Sequence, residues 1–171
     1  MWKDKVVIIT GSSLGIGKKL AIEIGKKGGK IVLNARNKER LTAFENELNQ
    51  LGISTISYSG DVSKNEDCVA LFNYTISKFN RVDVLINNAG IASVGNIENI
   101  KPEVFKEVID VNLIGSVFMT KAVLPEIKKN KGSILFISSI AGIHGIPDYS
   151  AYSCSKMALT AFAESLKIEL H

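Results

Sequence analysis

The chain has 171 residues, a length that suits one domain able to bury a core without disulfides or metal ions. Hydrophobic residues make up 46% of the chain and charged residues 22%, proportions that exclude a disordered protein. The net charge of +4 comes from lysines and arginines that form no dense cluster with interleaved aromatic side chains, so we expect no nucleic-acid partner.

Metal-binding, disulfide-rich and membrane proteins are also disfavoured. Cys68 and Cys154 stand outside any Cys-x-x-Cys or Cys/His cluster, so neither a disulfide scaffold nor a metal site is predicted. No uninterrupted apolar run approaches the roughly 18 residues of a membrane span. The first apolar run, at 6–9, is too short for the core of a signal peptide. We therefore expect a cytoplasmic protein without a membrane span.

Short β-branched runs alternate with longer segments in which apolar residues recur at helical spacing. The runs predict five strands, at 6–9, 31–33, 53–58, 82–86 and 134–137. Helices are predicted between them, including a long one from Pro102 to about residue 128 and a last one over about 151–170. Strict alternation is typical of parallel strands joined by right-handed crossovers. The chain is therefore predicted to form one α/β domain, a doubly wound parallel sheet with helices on both faces.

Such a sheet binds ligands at the carboxyl ends of its strands, and the first strand ends in a glycine-rich turn. Three glycines there allow a tight turn and a close approach of the backbone, and the free N–H groups of the next helix favour a pyrophosphate. A plain tight turn is the alternative interpretation. The residues predicted to bind a dinucleotide are Gly11, Ser12, Ser13, Gly15, Ile16 and Gly17.

The loop after the second strand carries Arg36 and Asn37. A fold that binds NAD places an acidic residue about 20 residues after the glycines, where it holds the ribose 2′-hydroxyl. Here no acid occurs before Glu39, and the Arg36 guanidinium can fork onto a 2′-phosphate. The loop therefore favours NADP over NAD. An exposed arginine at a solvated helix start is the alternative.

The next two strand ends carry small and polar residues. Asp61 and Val62 follow the third strand, where Asp61 accepts from an adenine amino group, caps the next helix, or does both. Asn88, Ala89 and Gly90 follow the fourth strand, and their small size lets the chain pass close to a ligand. A simple Asn/Gly turn is the alternative for the second group.

The last helix carries Tyr152 and Lys156, whose i, i+4 spacing puts both side chains on one helical face. A tyrosine has a reference pKa of about 10, so proton transfer near neutral pH requires a nearby positive charge such as an ammonium. Tyr149 has Ser153 at the same spacing and receives no such help. The pair is weak evidence alone and gains weight from the other strand ends.

These residues together resemble the classical short-chain dehydrogenase/reductase family, whose domain has a Rossmann fold. The turn at 10–17, the run at 87–90, Asn112, Ser139 and the tyrosine–lysine pair stand in the family's order, and the resemblance covers essentially the whole chain. It implies an oxidoreductase that transfers a hydride between NADP(H) and a ketone or secondary alcohol. It also implies assembly as a homodimer or homotetramer.

The resemblance implies a role for each catalytic residue. Tyr152 would be the acid/base on the substrate oxygen, and Lys156 would stabilise its phenolate and bind the nicotinamide ribose. Ser139, thirteen residues before the tyrosine, would hydrogen-bond the substrate oxygen. Asn112 would hold a water that relays protons to Lys156.

Members of the family usually continue past this last helix into two further strands and a substrate-binding segment, whereas this chain stops at residue 171. We therefore expect a C-terminally incomplete domain that keeps affinity for the adenine end of the cofactor and has little reductase activity. An inactive cofactor-binding module or fragment is the alternative function. The loop at 145–149 is largely apolar, which is compatible with a lipid-like or steroid-like ketone.

Overall fold

The computed structural model describes residues 2–170, which form one parallel sheet between two layers of helices. The strand order is β3-β2-β1-β4-β5, so the order reverses between β1 and β4. This arrangement confirms the predicted doubly wound α/β fold. The strands are β1 Val6–Thr10, β2 Lys30–Ala35, β3 Thr55–Ser59, β4 Val84–Asn87 and β5 Ser133–Phe136.

Helices connect the strands in the predicted places. One long helical run lies between β4 and β5, and a 3-10 turn at Ile140–Gly142 precedes the last helix. The helices are α1 Gly15–Lys26, α2 Lys38–Gln50, α3 Asn65–Phe79, α4 Pro102–Ile109, α5 Gly115–Lys129 and α6 Ser150–Glu169.

Two apolar clusters, one on each face of the sheet, form the core. Side chains alternate between the faces of a strand, and β1 shows this directly. Val6 and Ile8 belong to one cluster, and Val7 and Ile9 belong to the other. All four are completely buried, as expected for a central strand covered by helices on both sides.

The long helical run is interrupted by a π-helical segment, Asp110–Ile114, between α4 and α5. The helical periodicity predicts one continuous helix here and misses the interruption. Single π-turns inside helices are frequent at functional sites because they change the direction of nearby side chains. The segment contains the fully buried Asn112.

The same run, Pro102–Lys129, is long and apolar enough to cross a membrane by length and composition alone. Our expectation of no membrane span rested on uninterrupted apolar runs, a criterion that overlooks this window. In the structure 44% of the window is buried, and α3 and α6 pack against the run. Packing inside the domain therefore accounts for its apolar side chains.

Opposite the carboxyl ends of the strands, a buried carboxylate ties two segments together. Asp83 accepts hydrogen bonds from Lys5 Nζ at 2.9 Å, from the Val6 backbone N–H at 3.0 Å and from the Arg81 guanidinium at 2.6 and 2.8 Å. Burial raises the pKa of Asp83, but these hydrogen bonds outweigh it and hold the pKa below its ordinary value. The cluster joins the start of β1 to the start of β4.

Candidate functional site

A cleft opens along the carboxyl ends of the strands, at the point where the strand order reverses, as expected for a doubly wound sheet. It consists of two cavities of about 310 and 400 Å³. Gly90 and Ile91 line both cavities and therefore join them. We call the first the adenine-side cavity, because it is lined by Asp61, which is predicted to accept from an adenine amino group. We call the second the tyrosine-side cavity, because Tyr149 and Tyr152 line it.

The glycine turn after β1 forms the floor of the cleft and is locked to the end of β4. Gly11 has φ +62°, and a Cβ added to it would lie 2.7 Å from the Ala89 Cα. A Cβ on Gly17 would lie 2.6 Å from the Gly11 carbonyl oxygen. Asn88 Nδ2 donates to the Thr10 and Gly11 carbonyls at 2.9 and 3.0 Å. The glycines are therefore required by the close packing of two backbone segments.

The two serines of this turn have different surroundings. Ser12 is fully buried, and its hydroxyl donates to the Asn34 carbonyl and accepts from the Asn34 N–H. Ser13 lines the adenine-side cavity together with Leu14. Leu14 stands at the N-terminus of α1 without a side-chain cap, and the first turn contains no acidic residue. The N–H groups of this helix end are available for an anion.

Arg36 and Asn37 also line the adenine-side cavity, and the structure adds Arg40 beside them. The Asn37 side chain accepts from the Arg40 N–H at 2.8 Å and so caps α2. This capping turn places two guanidinium-bearing residues on one wall of the cavity. The sequence reasoning missed Arg40, although its position in the first turn of a helix capped by Asn37, directly after the Arg36 loop, could have indicated it.

Asp61 and Val62 form the facing part of the adenine-side cavity. The Asp61 carboxylate accepts from the Ser63 N–H and hydroxyl at 3.0 and 2.8 Å. Helix α3 begins at Asn65, with Lys64 in the cap position, so the expectation that Asp61 caps this helix is wrong. The side chain instead stabilises the turn before the helix.

Tyr152 and Lys156 line the tyrosine-side cavity together with Tyr149. Lys156 Nζ donates to the Ile137 carbonyl at 2.7 Å and lies 5.7 Å from the centroid of the Tyr152 ring. Burial lowers the pKa of Lys156, because removal from water disfavours the ammonium. The helix thus places a cationic group beside the phenol, as the i, i+4 spacing predicts.

Asn112 lies behind the cavity wall and connects three segments. Its Oδ1 accepts from the Ile91 N–H at 2.8 Å, and its Nδ2 donates to the Ile91 carbonyl and to Ser155 Oγ, both at 2.9 Å. Ser155 in turn donates to the Tyr152 carbonyl at 2.7 Å. The buried amide therefore fixes the loop after β4 against the turn of α6 that carries the tyrosine. Sequence reasoning did not single out Ser155.

The two serines after β5 also differ in position. Ser138 lines the tyrosine-side cavity, and its hydroxyl lies 3.1 Å from the Thr160 hydroxyl. Ser139 Oγ accepts from the Ala141 N–H at 3.2 Å and caps the 3-10 turn. A serine hydroxyl that accepts in this way still has its own proton to donate. Ser139, the serine predicted from its spacing, is not part of the cavity wall, and Ser138 is.

The arrangement joins a half whose groups suit an anion to a half whose groups suit proton transfer. Uncapped helix N–H groups and two arginines suit a phosphorylated nucleotide. A tyrosine beside an ammonium, in a cavity walled by Ile16, Ile91 and Ile137, suits proton transfer to an apolar substrate. Among residues 2–170, no group of three or more His, Cys, Asp or Glu side chains could hold a metal ion. These features define a dinucleotide-binding domain of the oxidoreductase type.

The family model for "short chain dehydrogenase" matches residues 5–171. The chain therefore belongs to the short-chain dehydrogenase/reductase family of oxidoreductases, and the resemblance seen in its motifs is confirmed.

Solved structures of family members agree. A metagenomic short-chain oxidoreductase in complex with NADP has a TM-score of 0.93 and 34% identity, over 98% of this chain and 77% of that one. A xylitol dehydrogenase bound to NAD+ has a TM-score of 0.94 and 28% identity, over 99% of this chain and 66% of that one. Relatives with the same fold therefore bind either cofactor.

Curated relatives include "11-beta-hydroxysteroid dehydrogenase-like 4A" of Arabidopsis thaliana, which is 42% identical over 174 aligned residues. The alignment covers 98% of this chain and 56% of that relative. "11-beta-hydroxysteroid dehydrogenase A" of Sesamum indicum is 38% identical, over 96% of this chain and 48% of its own length. The chain thus spans about half the length of the curated relatives it matches.

Proposed function

We propose that the protein is an NADP(H)-dependent oxidoreductase that interconverts an apolar ketone and the corresponding secondary alcohol, with Tyr152 as the acid/base. The single observation that carries the proposal is the position of Lys156 beside the Tyr152 ring in the tyrosine-side cavity, which is continuous with the anion-binding half of the cleft. NADP(H) bound in the cleft supplies or accepts the hydride.

The chain's residues fit this cofactor. The glycine turn would bind the pyrophosphate directly against its backbone. Gly11 and Gly17 keep this backbone free of side chains, because neither position has room for a Cβ between the turn and β4. Arg36 and Arg40 would hold the 2′-phosphate, and Asp61 and Val62 would flank the adenine. A hydrogen bond to a charged group contributes about 1.5–3 kcal/mol, so loss of the 2′-phosphate contact would weaken binding roughly 10- to 150-fold.

In the reductive direction Tyr152 would donate its phenolic proton to the carbonyl oxygen as a hydride reaches the carbonyl carbon, which gives a neutral alcohol. Lys156 would stabilise the phenolate that remains, because its ammonium lies beside the ring. Ser139 would keep the role that the family resemblance implies, a hydrogen bond from its hydroxyl to the same substrate oxygen, although Ser138 and not Ser139 lines the cavity here. Asn112 would hold the loop after β4 in place against the start of α6 through its hydrogen bonds to Ile91 and Ser155.

The substrate class follows from the walls of the tyrosine-side cavity. Ile16, Ile91 and Ile137 supply apolar surface beside the tyrosine, and Asn88, Ser138 and Tyr149 add polar groups that could orient a substrate oxygen. The names of the plant relatives, which refer to hydroxysteroids, agree with a bulky apolar substrate. A lipid-like or alicyclic ketone is therefore the proposed class. Assembly as a dimer or tetramer and a cytoplasmic location stay predictions.

Calorimetric titration with NADPH and NADH, followed by turnover with a panel of apolar ketones, tests the proposal. We expect NADPH to bind at least ten times more tightly, and we expect Arg36→Ala to weaken NADPH selectively. Equal affinities in the unmutated chain would contradict the assignment of Arg36. If the protein binds the cofactor but turns over none of the ketones, the alternative, an inactive cofactor-binding module, is favoured.

A further inference from the structure

Glu107 brings a negative charge beside Arg36, which lines the adenine-side cavity. It lies on α4, and its Oε1 is 3.7 Å from Arg36 Nη1. One turn further along the same helical run, Val111 lines the cavity itself. Glu107 therefore stands at the rim of the proposed 2′-phosphate site, although it is separated from Arg36 by 71 residues of chain.

We infer that Glu107 is a specificity-determining residue that competes with the cofactor's 2′-phosphate for Arg36 and so limits the preference for NADP over NAD. The inference rests on the proposed cofactor site. Glu107 would weaken the binding of NADP, whereas Arg36 and Arg40, which line the adenine-side cavity, would strengthen it.

The competition follows from charge. A phosphate monoester carries about −1.5 to −2 charge at pH 7 and forms forked hydrogen bonds with a guanidinium. A 2′-phosphate on Arg36 would either displace the Glu107 carboxylate or remain beside it, and repulsion between the two anions would weaken binding in the second case. NAD carries a neutral hydroxyl at this position and meets neither penalty.

The competition must be partial. The Arg36 and Glu107 side chains are 59% and 55% exposed, and exposed ion pairs contribute little free energy because water screens them. Arg40 makes no ion pair with another residue in the part of the chain that the structure describes, so its charge is not opposed in the same way. The two arginines are therefore balanced in formal charge by Glu107 and by Asp61, which also lines the cavity, and Arg40 is left to attract the 2′-phosphate.

The experiment is a calorimetric titration of the chain and its Glu107→Gln variant with NADP+ and NAD+. Glutamine keeps the size of the side chain and removes its charge. We expect Glu107→Gln to tighten NADP+ about twofold to fivefold, to leave NAD+ unchanged, and to lose the gain as salt is raised. Glu103→Gln, one turn earlier on α4, is the matched control and should change neither affinity.

A double variant shows whether the effect passes through Arg36. In the Arg36→Ala background, Glu107→Gln should tighten NADP+ less than it does in the unmutated chain, because the shared partner is gone. An unchanged NADP+ affinity in Glu107→Gln, or an equal gain for NAD+, would overturn the inference while the NADP preference stands. If the unmutated chain shows no preference and Arg36→Ala changes neither affinity, the proposed cofactor choice fails and the inference fails with it.

Discussion

The two halves of the cleft are built in different ways. The adenine side depends on backbone geometry, because Gly11 and Gly17 pack directly against neighbouring main chain and the arginines on its wall are exposed. The tyrosine side depends on buried side chains: Asn112 bonds Ile91 and Ser155, Ser155 donates to the Tyr152 carbonyl, and Lys156 donates to the Ile137 carbonyl. Cofactor binding and proton transfer should therefore respond to different kinds of substitution.

The rims of the two halves differ as well. Large apolar side chains are exposed in the loops near the tyrosine side, where the Gly95 N–H donates to the Asp148 carbonyl at 2.8 Å. Val94, Ile97, Ile140 and Ile143 are each more than 60% exposed. The rim of the adenine side instead carries Arg36, Asn37 and Arg40. An apolar ligand is thus favoured at one end of the cleft and an anion at the other.

The largest expected effect is on the tyrosine side. Tyr152→Phe removes the proton that the mechanism needs and leaves the ring, so turnover should fall by about 10²- to 10⁴-fold while NADPH affinity stays nearly unchanged. Steady-state kinetics and a fluorescence titration of NADPH measure the two quantities. Tyr149→Phe is the control, because Tyr149 also lines the cavity but lacks a lysine at i+4. Retained turnover in Tyr152→Phe would exclude the proposed acid/base.

On the adenine side the comparison predicts a difference between two glycines of one turn. Gly17→Ala places a Cβ 2.6 Å from the Gly11 carbonyl oxygen and 2.9 Å from the Ser12 Cα, so it should cost about 1–3 kcal/mol of stability and weaken cofactor binding. Gly15 has φ +54° but open space around its Cβ position, so Gly15→Ala should cost only about 1 kcal/mol. Urea unfolding of both variants measures these costs. Similar losses of stability in Gly17→Ala and Gly15→Ala would show that close backbone packing does not determine the structure of the adenine side.

A third prediction concerns Asp83, which lies at the edge of the sheet opposite the cleft and has a purely structural role. Asp83→Asn removes the charge that Lys5 and Arg81 bind, and it should cost about 1–3 kcal/mol at neutral pH. Because the folded-state pKa of Asp83 is lowered, its contribution is present above the ordinary carboxyl value of about 3.9 and is lost as pH falls further. The difference between variant and unmutated chain should therefore shrink below about pH 4. Thermal unfolding at several pH values measures it, and a difference that grows on acidification would contradict the assignment.

Local patterns were sufficient to predict the parts of the molecule that local chemistry determines. The β-branched runs predicted the five strands, and the spacing of Tyr152 and Lys156 predicted that both would line one cavity. The turn at 10–17 was predictable because its glycines lie between a strand and a helix.

Features that depend on distant segments were not predictable from these patterns. The π-helical segment holds Asn112 against Ile91 and Ser155, and no local periodicity encodes those contacts. The approach of Glu107 to Arg36 depends on how the tertiary structure places α4 near the loop after β2. For the same reason, the sequence did not indicate that Ser138, rather than Ser139, forms the cavity wall.

The central claim is that the adenine side is a preformed site for a 2′-phosphorylated nucleotide. It is tested most directly by calorimetric titration with 2′,5′-ADP and with 5′-AMP, which occupy only this half of the cleft and need no substrate. The account predicts that 2′,5′-ADP binds at least ten times more tightly than 5′-AMP, and that Arg36→Ala removes most of this difference. Equal affinities for the two nucleotides, or a difference that survives Arg36→Ala, would contradict it.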